Sequence, residues 1–201
     1  MGKGSSHAGD ELIPVRVLAL LEEPVMHSPV VILHDPVENR VLPIWIGDLE
    51  ARAVGIALQK VEVARPLTHT LLATTIHALG GQVVGASIDH LEAGTFYALI
   101  TIDVGEKNPI DVDCRPSDAI ALALEAEATL YVAKSVMDLA GQDNPFPKSV
   151  LKKKGAKGGK GAAASGATFP KFAPKAKTEF SSDEVDKLKV MLEKAREQEG
   201  E

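Results

Sequence analysis

The sequence predicts an α+β fold in which a unit of three strands followed by a helix occurs twice. Short extended apolar runs alternate with turn residues ahead of two alanine-rich helical stretches. Each strand-to-helix junction has an acidic residue in its first helical turn, Glu50 in one and Asp118, 68 residues later, in the other. The offset indicates an internal duplication. We therefore expect a mixed, largely antiparallel, barrel-like sheet with flanking helices.

The first half of the chain predicts three strands and two helices. Apolar β-type runs with a turn between the second and third predict the strands, and helical periodicity predicts the helices. The first helix should bury a stripe of Ala51, Val54, Leu58 and Val61. The second should end at a pair of glycines. The expected elements are strands at 12–21, 30–33 and 41–46 and helices at 48–63 and 67–79.

The second half repeats this pattern and ends in a sharper junction. Arg115 precedes a proline and is therefore pushed towards an extended backbone, while Pro116 suits the first position of a helix. Residues 119–128 contain no helix breaker and are rich in alanine, leucine and glutamate. The expected elements are strands at 82–91, 95–104, 110–114 and 130–132, a helix from 116 and a helical turn at 135–140.

Composition bounds the class of protein. The chain has 201 residues, 45% of them hydrophobic, which is ordinary for a globular protein with a packed core. No apolar run approaches the roughly 20 residues of a membrane span, and the first ten residues have no apolar signal region. One cysteine, Cys114, precludes an internal disulfide and fits a reducing compartment. We therefore expect a cytoplasmic protein without a membrane partner.

Charge is distributed very unevenly along the chain. Residues 1–147 hold 9 Lys and Arg against 20 Asp and Glu, a net charge of −11, whereas residues 148–177 hold 9 Lys and no acid, a net charge of +9. A broad nucleic-acid surface on the acidic part is therefore disfavoured, and the Lys-rich segment is the expected contact for a phosphate backbone. Its Lys, Gly and Ala composition also predicts disorder.

Four regions follow from these patterns. Residues 1–11 are expected to be disordered, residues 12–143 to form a domain that folds alone, residues 144–180 to be a linker, and residues 181–201 to form a helix. The last helix carries an apolar stripe at Val185, Leu188, Leu192 and Ala195. A single helix with such a stripe is marginal by itself, so a helical protein partner is expected for residues 181–201.

Three motifs give residues 12–143 a resemblance to the bifunctional nuclease (BFN) domain family. They are the segments at residues 42–47 (LPIWIG), 65–69 (RPLTH) and 113–123 (DCRPSDAIALA). The resemblance implies a duplicated β–α fold with a barrel-like sheet, and the DNase and RNase activity found in some members. Two positions depart from the family pattern, Thr70 where Asp is frequent and Cys114 where Ala is frequent. Residues 183–199 are also similar to the first half of a UVR motif.

Phosphate-binding and catalytic candidates come from the last two motifs. Arg65 and Arg115 are each expected at a helix N-terminus, a natural position for a phosphate, with Ser117 in the first turn of the second helix. Nuclease chemistry also needs an acid or base. His69 is the candidate for that role, and with Arg115 and Asp118 it forms the expected catalytic set.

A divalent metal is the second expected component. Asp113 lies at the end of a predicted strand, and Asp118 and Glu50 lie in the first turns of two helices. Their carboxylates supply enough oxygens to bind Mg²⁺. An alternative remains open at the same residues, in which Arg115 pairs with Asp118 or Glu50 and simply ties the two helix starts together.

Two functions from different classes follow. The first, which the family resemblance implies, is a nuclease of low sequence specificity for DNA, RNA or both, with Mg²⁺ as the expected cofactor. The second is a non-catalytic scaffold, a homo-oligomer that self-associates through the acidic domain and binds a partner through the C-terminal helix. The second is favoured by the lack of an unmistakable catalytic set in the sequence.

Overall fold

The computed structural model describes residues 10–23, 27–105, 108–146 and 182–199. Within these ranges the chain forms eight strands and five helices. The first half comprises β1 (Leu12–Glu22), β2 (Pro29–Asp35), β3 (Arg40–Trp45), α1 (Asp48–Gln59) and α2 (Thr68–Ala78). The second half comprises β4 (Gln82–Glu92), β5 (Thr95–Asp103), β6 (Ile110–Cys114), α3 (Pro116–Glu125), β7 (Thr129–Ala133), α4 (Lys134–Ala140) and β8 (Gln142–Asp143), and α5 (Ser182–Glu199) follows.

All eight strands belong to one sheet with the order β6-β5-β4-β7-β1-β2-β3-β8. Every neighbouring pair is antiparallel except β4 and β7, which are parallel, and the antiparallel pair of β1 and β7 joins the two halves. The predicted α+β class and the predicted recurrence of three strands followed by a helix are both confirmed. The sheet is open, with β6 and β8 at its edges, so it matches a barrel-like sheet loosely and is not a closed barrel.

The main core lies between the sheet and the pair α1 and α3. Side chains from alternate positions of β2 and β3 meet the apolar faces of both helices, because successive residues of a strand point to opposite faces. The centre of α3 is almost wholly apolar, and Ile120 and Leu122 are fully buried. This packing fixes the direction of α1 and α3, and therefore the place where both helices begin.

A second, smaller core lies on the other face of β1, β2 and β3. Val30, Ile32 and Val41 point there, and Met191 and Leu192 of α5 cover them. The apolar stripe predicted for the C-terminal helix therefore packs on the sheet of its own chain at Leu192, and Ala195 of the same stripe is buried as well. The predicted helical protein partner stays a prediction.

The prediction for the first helix was wrong at its C-terminal end. α1 ends at Gln59 because Lys60 adopts a left-handed backbone with φ 50°, and the N–H groups of Lys60 and Val61 bond back to carbonyl groups of the last turn. Leu58 and Val61, predicted to be buried in the helix stripe, are exposed. The helical spacing of apolar residues in the sequence continues past Gln59, the last residue of α1, because Val61 and Val63 are also apolar.

The second helix was predicted correctly, and its burial is unusual. α2 ends where Gly80 takes φ 83°, a left-handed conformation that glycine adopts without strain. None of its residues is buried. The helix contacts α3 and β4 only through half-buried side chains, so much of its apolar surface faces away from the domain.

Several expectations concern segments outside the described residues. The predicted disorder falls there for residues 1–9 of the N-terminal segment and for the Lys-rich segment, as does the start of the C-terminal helix at residue 181. Among the described helices, none combines the length and the apolar character needed to cross a membrane.

Candidate functional site

Three helices begin at one place on the surface of the domain. Glu50 lies in the first turn of α1, His69 in the first turn of α2 and Asp118 in the first turn of α3. The residues that precede these helices, Gly47 and Leu67, give no side-chain cap, and neither does Arg115 before α3. The positive ends of three helix dipoles therefore converge, with N–H groups that no side-chain cap satisfies.

Arg115 links two of these helix starts by hydrogen bonds. Its Nε donates to Asp118 Oδ2 at 2.7 Å, its Nη2 donates to Asp118 Oδ1 at 3.1 Å, and its Nη1 donates to Glu50 Oε1 at 2.7 Å. The predicted proximity of Arg115, Asp118 and Glu50 is thereby confirmed. These bonds use three of the five N–H donors that a guanidinium carries. The side chain of Arg115 is 63% exposed, so its outer edge faces solvent.

His69 joins the third helix start to the same carboxylate. Its Nε2 lies 3.1 Å from Asp118 Oδ1, and its side chain is only 17% exposed. An ionised carboxylate can only accept hydrogen bonds, so Nε2 must carry the hydrogen in this pair. A neutral imidazole then keeps its lone pair on Nδ1. The geometry makes His69 an oriented base, or an oriented acid once it is protonated.

Electrostatics keep both carboxylates ionised. The hydrogen bond from Arg115 is the largest influence on Asp118 and, together with the bond from His69, lowers the pKa of that carboxyl. The pKa of Glu50 is also lowered, first by a bond to its own backbone N–H and then by Arg115. The two carboxylates in turn raise the pKa of the Arg115 guanidinium. The cluster therefore holds two negative charges against one permanent positive charge at neutral pH.

The lowered pKa of Asp118 predicts a pH-dependent contribution to stability. A carboxyl whose pKa is depressed by folding stabilises the native state above its unfolded pKa, about 3.9, and loses that contribution as the pH falls through the folded value. Asp118→Asn should therefore destabilise the protein at neutral pH, and the difference from wild type should shrink below about pH 4. Urea unfolding between pH 2.5 and 7 measures it. Asp48→Asn, an exposed aspartate in the first turn of α1, is the control. A difference that stays constant across this range would contradict the assignment.

Three other predicted site residues lie apart from these hydrogen bonds. Arg65 is exposed two residues before the Leu67 that precedes α2, and makes no ion pair within the described residues. Ser117 is buried in the first turn of α3, next to Asp118 in sequence. Asp113 is exposed in β6, on the strand face opposite to Cys114. Their predicted roles in binding phosphate or metal stay predictions.

The arrangement does not fit a magnesium ion held by Glu50, Asp113 and Asp118 together. The guanidinium of Arg115 lies between the carboxylates of Glu50 and Asp118 and bonds to both. Asp113 is exposed on the face of β6 opposite to Cys114. Among the described residues, no group of three or more His, Cys, Asp or Glu side chains is arranged to bind a metal. A metal bound by Asp118 would compete with Arg115, which already bonds both oxygens of that carboxylate.

Cys114 has a packing role at the end of β6 and not a catalytic one. The thiol is half-buried, lies 3.6 Å from the carbonyl oxygen of Ala98 and has a pKa raised to about 12, chiefly by burial. A thiol that stays protonated at neutral pH is a poor nucleophile. The predicted departure from the family pattern at this position therefore adds a packed side chain at the end of β6.

The comparisons with known proteins agree with the motifs. The bifunctional nuclease domain model matches residues 31–145, which include all three helix starts. The chain is also similar to two curated relatives from Mycobacterium tuberculosis, the uncharacterized protein MT1877 of strain CDC 1551 / Oshkosh and the uncharacterized protein Rv1829 of strain H37Rv. Each is 41% identical over 127 residues, which cover 63% of this chain and 75% of the relative.

Proposed function

Because this chain belongs to the bifunctional nuclease domain family, we propose that it is a nuclease of low sequence specificity that cleaves phosphodiester bonds of DNA, RNA or both. One observation carries the proposal. Arg115 and the pair of His69 and Asp118 meet where three helices begin, so an anion-binding group and an acid–base group lie side by side. Hydrolysis of a phosphodiester needs both.

Each residue of the cluster has a distinct role in this proposal. The two N–H donors of Arg115 that face solvent bind a non-bridging phosphate oxygen and stabilise the charge that develops on it. His69 Nδ1 accepts a proton from the attacking nucleophile, which is water or, for RNA, the neighbouring 2′-hydroxyl. As the new P–O bond forms and the bond to the leaving oxygen breaks, the leaving oxygen takes up a proton from His69 or from solvent. Asp118 orients both groups, and Glu50 holds the other side of Arg115. Arg115, His69 and Asp118 are therefore the proposed catalytic set, and Glu50 is a positioning residue.

A contribution of Mg²⁺ to catalysis is a separate part of the proposed function. When bound, such an ion would supply Lewis-acid stabilisation of the phosphate. The residues of the cluster satisfy one another without it, since Arg115 already neutralises one of the two carboxylate charges. Cleavage activity that persists in EDTA would assign the chemistry to His69 and Arg115 alone. Cleavage activity that EDTA abolishes would mean that a metal ion replaces Arg115 as the partner of a carboxylate.

His69→Gln is the variant that tests the proposal most directly. Glutamine keeps a polar side chain but cannot transfer a proton, so we expect cleavage of single-stranded DNA and RNA to fall by about 100-fold or more. The assay uses purified full chain with Mg²⁺, with Mn²⁺ and with EDTA. His77→Gln is the matched control, because His77 is exposed in the last turn of the same helix. Equal activity in wild type and His69→Gln would refute the proposed mechanism.

The Lys-rich segment is proposed to recruit nucleic acid to the acidic domain. Its nine lysines carry the +9 charge that the domain, at −11, lacks. Replacing Lys152, Lys153 and Lys154 by glutamine should raise KM and flatten the dependence of KM on salt, because fewer counterions are released on binding. The kcat should not change, since these contacts are the same in ground and transition states. A fall in kcat with constant KM would contradict this role.

A scaffold without catalysis is the second candidate, and one observation favours it. With His69 neutral, the cluster of Glu50, His69, Arg115 and Asp118 has a net charge of −1, which opposes the approach of a phosphate. In that case the hydrogen bonds of Arg115 serve to tie α1 to α3. Purified protein without nuclease activity under any metal condition, but with stability that depends on Arg115, would favour this candidate.

A further inference from the structure

Gly47 is the last residue of the first sequence motif, residues 42–47, and has no part in the mechanism proposed above. It immediately precedes α1, just as Arg115 immediately precedes α3. Glu50 lies three residues after Gly47, and Asp118 lies three residues after Arg115, so the two helix starts correspond position by position at the offset of 68. The first junction therefore has glycine at the position where the second has arginine.

The backbone conformation of Gly47 does not require glycine. Its φ of −76° and ψ of 164° are extended values that any residue adopts without strain. Serine, aspartate and asparagine are also preferred over glycine before a helix, because their side chains accept hydrogen bonds from the N–H groups of the first turn. The reason for a glycine at this position must therefore lie in the side chains around it.

The carboxylate of Glu50 fills the space that a side chain on residue 47 would need. A Cβ on Gly47 would overlap Glu50 Oε2 and would lie 3.3 Å from Glu50 Cδ, and the three heavy atoms nearest to it all belong to this carboxylate. Glu50 is folded back towards the helix start, where its carboxylate accepts a hydrogen bond from its own backbone N–H. This N–H is one of the four that a helix start leaves without an intrahelical partner. The lack of a side chain on Gly47 therefore permits this conformation of Glu50.

The same conformation brings Glu50 into contact with Arg115. Glu50 Oε1 accepts a hydrogen bond from Arg115 Nη1 at 2.7 Å, while Nε and Nη2 of that guanidinium donate to Asp118. A planar guanidinium that is bonded to carboxylates on two sides has a fixed orientation, and so do its remaining N–H donors. The position of the Glu50 carboxylate thus helps to determine the direction in which Arg115 presents these donors to solvent.

We propose that Gly47 is a positioning residue, which leaves room for the Glu50 carboxylate and thereby aligns Arg115 with the phosphate that is cleaved. The effect on catalysis rests on the proposed nuclease function, whereas the effect on Glu50 does not. The two corresponding junctions then have unequal roles. The second junction supplies the arginine, and the first supplies the space for the carboxylate that orients it.

Gly47→Ala tests this role in the full chain. The atoms that the new Cβ would displace are at the end of a flexible side chain, so Glu50 can rotate away and the protein should keep a Tm close to that of wild type. Arg115 then loses one of its three hydrogen bonds, and we expect kcat for cleavage of an oligonucleotide to fall by about 10-fold with little change in KM. Gly85→Ala in β4 is the matched control, because the nearest atom to a Cβ there is at 3.6 Å, an ordinary contact.

Two further variants separate positioning from a merely structural role. In a Glu50→Ala background the carboxylate is absent, so Gly47→Ala should have no additional effect, and the double variant should have the kcat of Glu50→Ala. Gly47→Ser supplies a better residue before the helix and should raise the Tm, yet it also displaces Glu50 and should lower kcat. A structural role alone would change the Tm and kcat in the same direction.

The titration of the Glu50 carboxyl group reports on the contact without an activity assay. Its pKa is lowered in wild type by its own backbone N–H and by Arg115, and in Gly47→Ala it should rise towards the ordinary value of about 4.3. The ¹³C chemical shift of the carboxyl carbon measured against pH gives both values. An unchanged pKa of Glu50, or a loss of kcat that Gly47→Ala also causes in the Glu50→Ala background, would overturn the inference. Wild type without nuclease activity, combined with the expected rise in pKa, would refute the proposed function while supporting the control of Glu50 by Gly47.

Discussion

Replacing Arg115 by alanine is expected to lower the kcat of cleavage by about 100- to 1,000-fold, the loss found when a group that stabilises developing charge is removed. The proposed nuclease depends on this side chain twice. It supplies the N–H donors for the phosphate, and it holds Asp118 in the orientation that positions His69. Removing it also leaves the carboxylates of Glu50 and Asp118 without their shared cation. Single-turnover kinetics on a short oligonucleotide measure the effect on the chemical step.

Two further arginine variants make this result interpretable. Arg115→Lys keeps the charge but loses the planar fork that bonds both carboxylates, so it should recover only a part of the activity. Arg65→Ala removes another exposed arginine, which lies outside the hydrogen bonds of Arg115, so a contact of Arg65 with phosphate should affect KM rather than kcat. Activity that survives Arg115→Ala unchanged would come from a contaminant or from a different site.

Replacing Leu192 by aspartate is expected to cost about 2–4 kcal/mol of unfolding free energy, the range for loss of a large buried side chain. Leu192 is 2% exposed and packs with Val30 and Ile32 on the outer face of the sheet. A charge at this position must either be buried without a partner or force α5 away from the sheet. Chemical denaturation of the full chain measures the loss.

The same helix provides the control for this prediction. Val190→Asp changes a residue that is 51% exposed, so its effect on stability should be small. Residues 12–143 should still unfold cooperatively when the chain is cut after residue 147, because the inner core lies within that range. The shortened protein should have a lower Tm than the full chain, since Val30 and Ile32 lose their cover. Equal stability of Leu192→Asp and wild type would show that α5 contributes nothing to the fold.

The sequence allowed most of the secondary structure to be predicted, because strong local signals coincide with the ends of elements. Pro116 in the first turn of α3 and Gly80 after α2 are examples, since each suits one backbone conformation. The pairing of Arg115 with Glu50 was also predictable, because a repeat of the same junction at a fixed offset places equivalent positions near a common pseudo-symmetry axis. Each of these features is determined by a single residue or by one sequence repeat.

Other features depend on packing between distant segments. Nothing local indicates that His69 bonds Asp118, which lies 49 residues away in sequence. The end of α1 at Lys60 depends on a left-handed residue that is not glycine, and sequence patterns identify such residues poorly. The two-residue strand β8 is defined by its pairing with Arg40 and Val41 rather than by its own composition. The docking of α5 on the sheet likewise depends on a surface formed by other strands.

The position of β7 has a consequence for how the chain folds. β7 is the seventh strand in sequence, yet it lies in the middle of the sheet, pairing with β1 on one side and with β4 on the other. Its contact with β1 brings Leu12 against Ala133, a loop closure over more than a hundred residues. Bringing the ends of such a long loop together costs conformational entropy before the stabilising contacts form, and this makes folding slow. On the ribosome, the β1–β3 meander must therefore wait with both edges unpaired, since β7 and β8 are synthesised last in the domain, and that interval is when the chain is most exposed to aggregation.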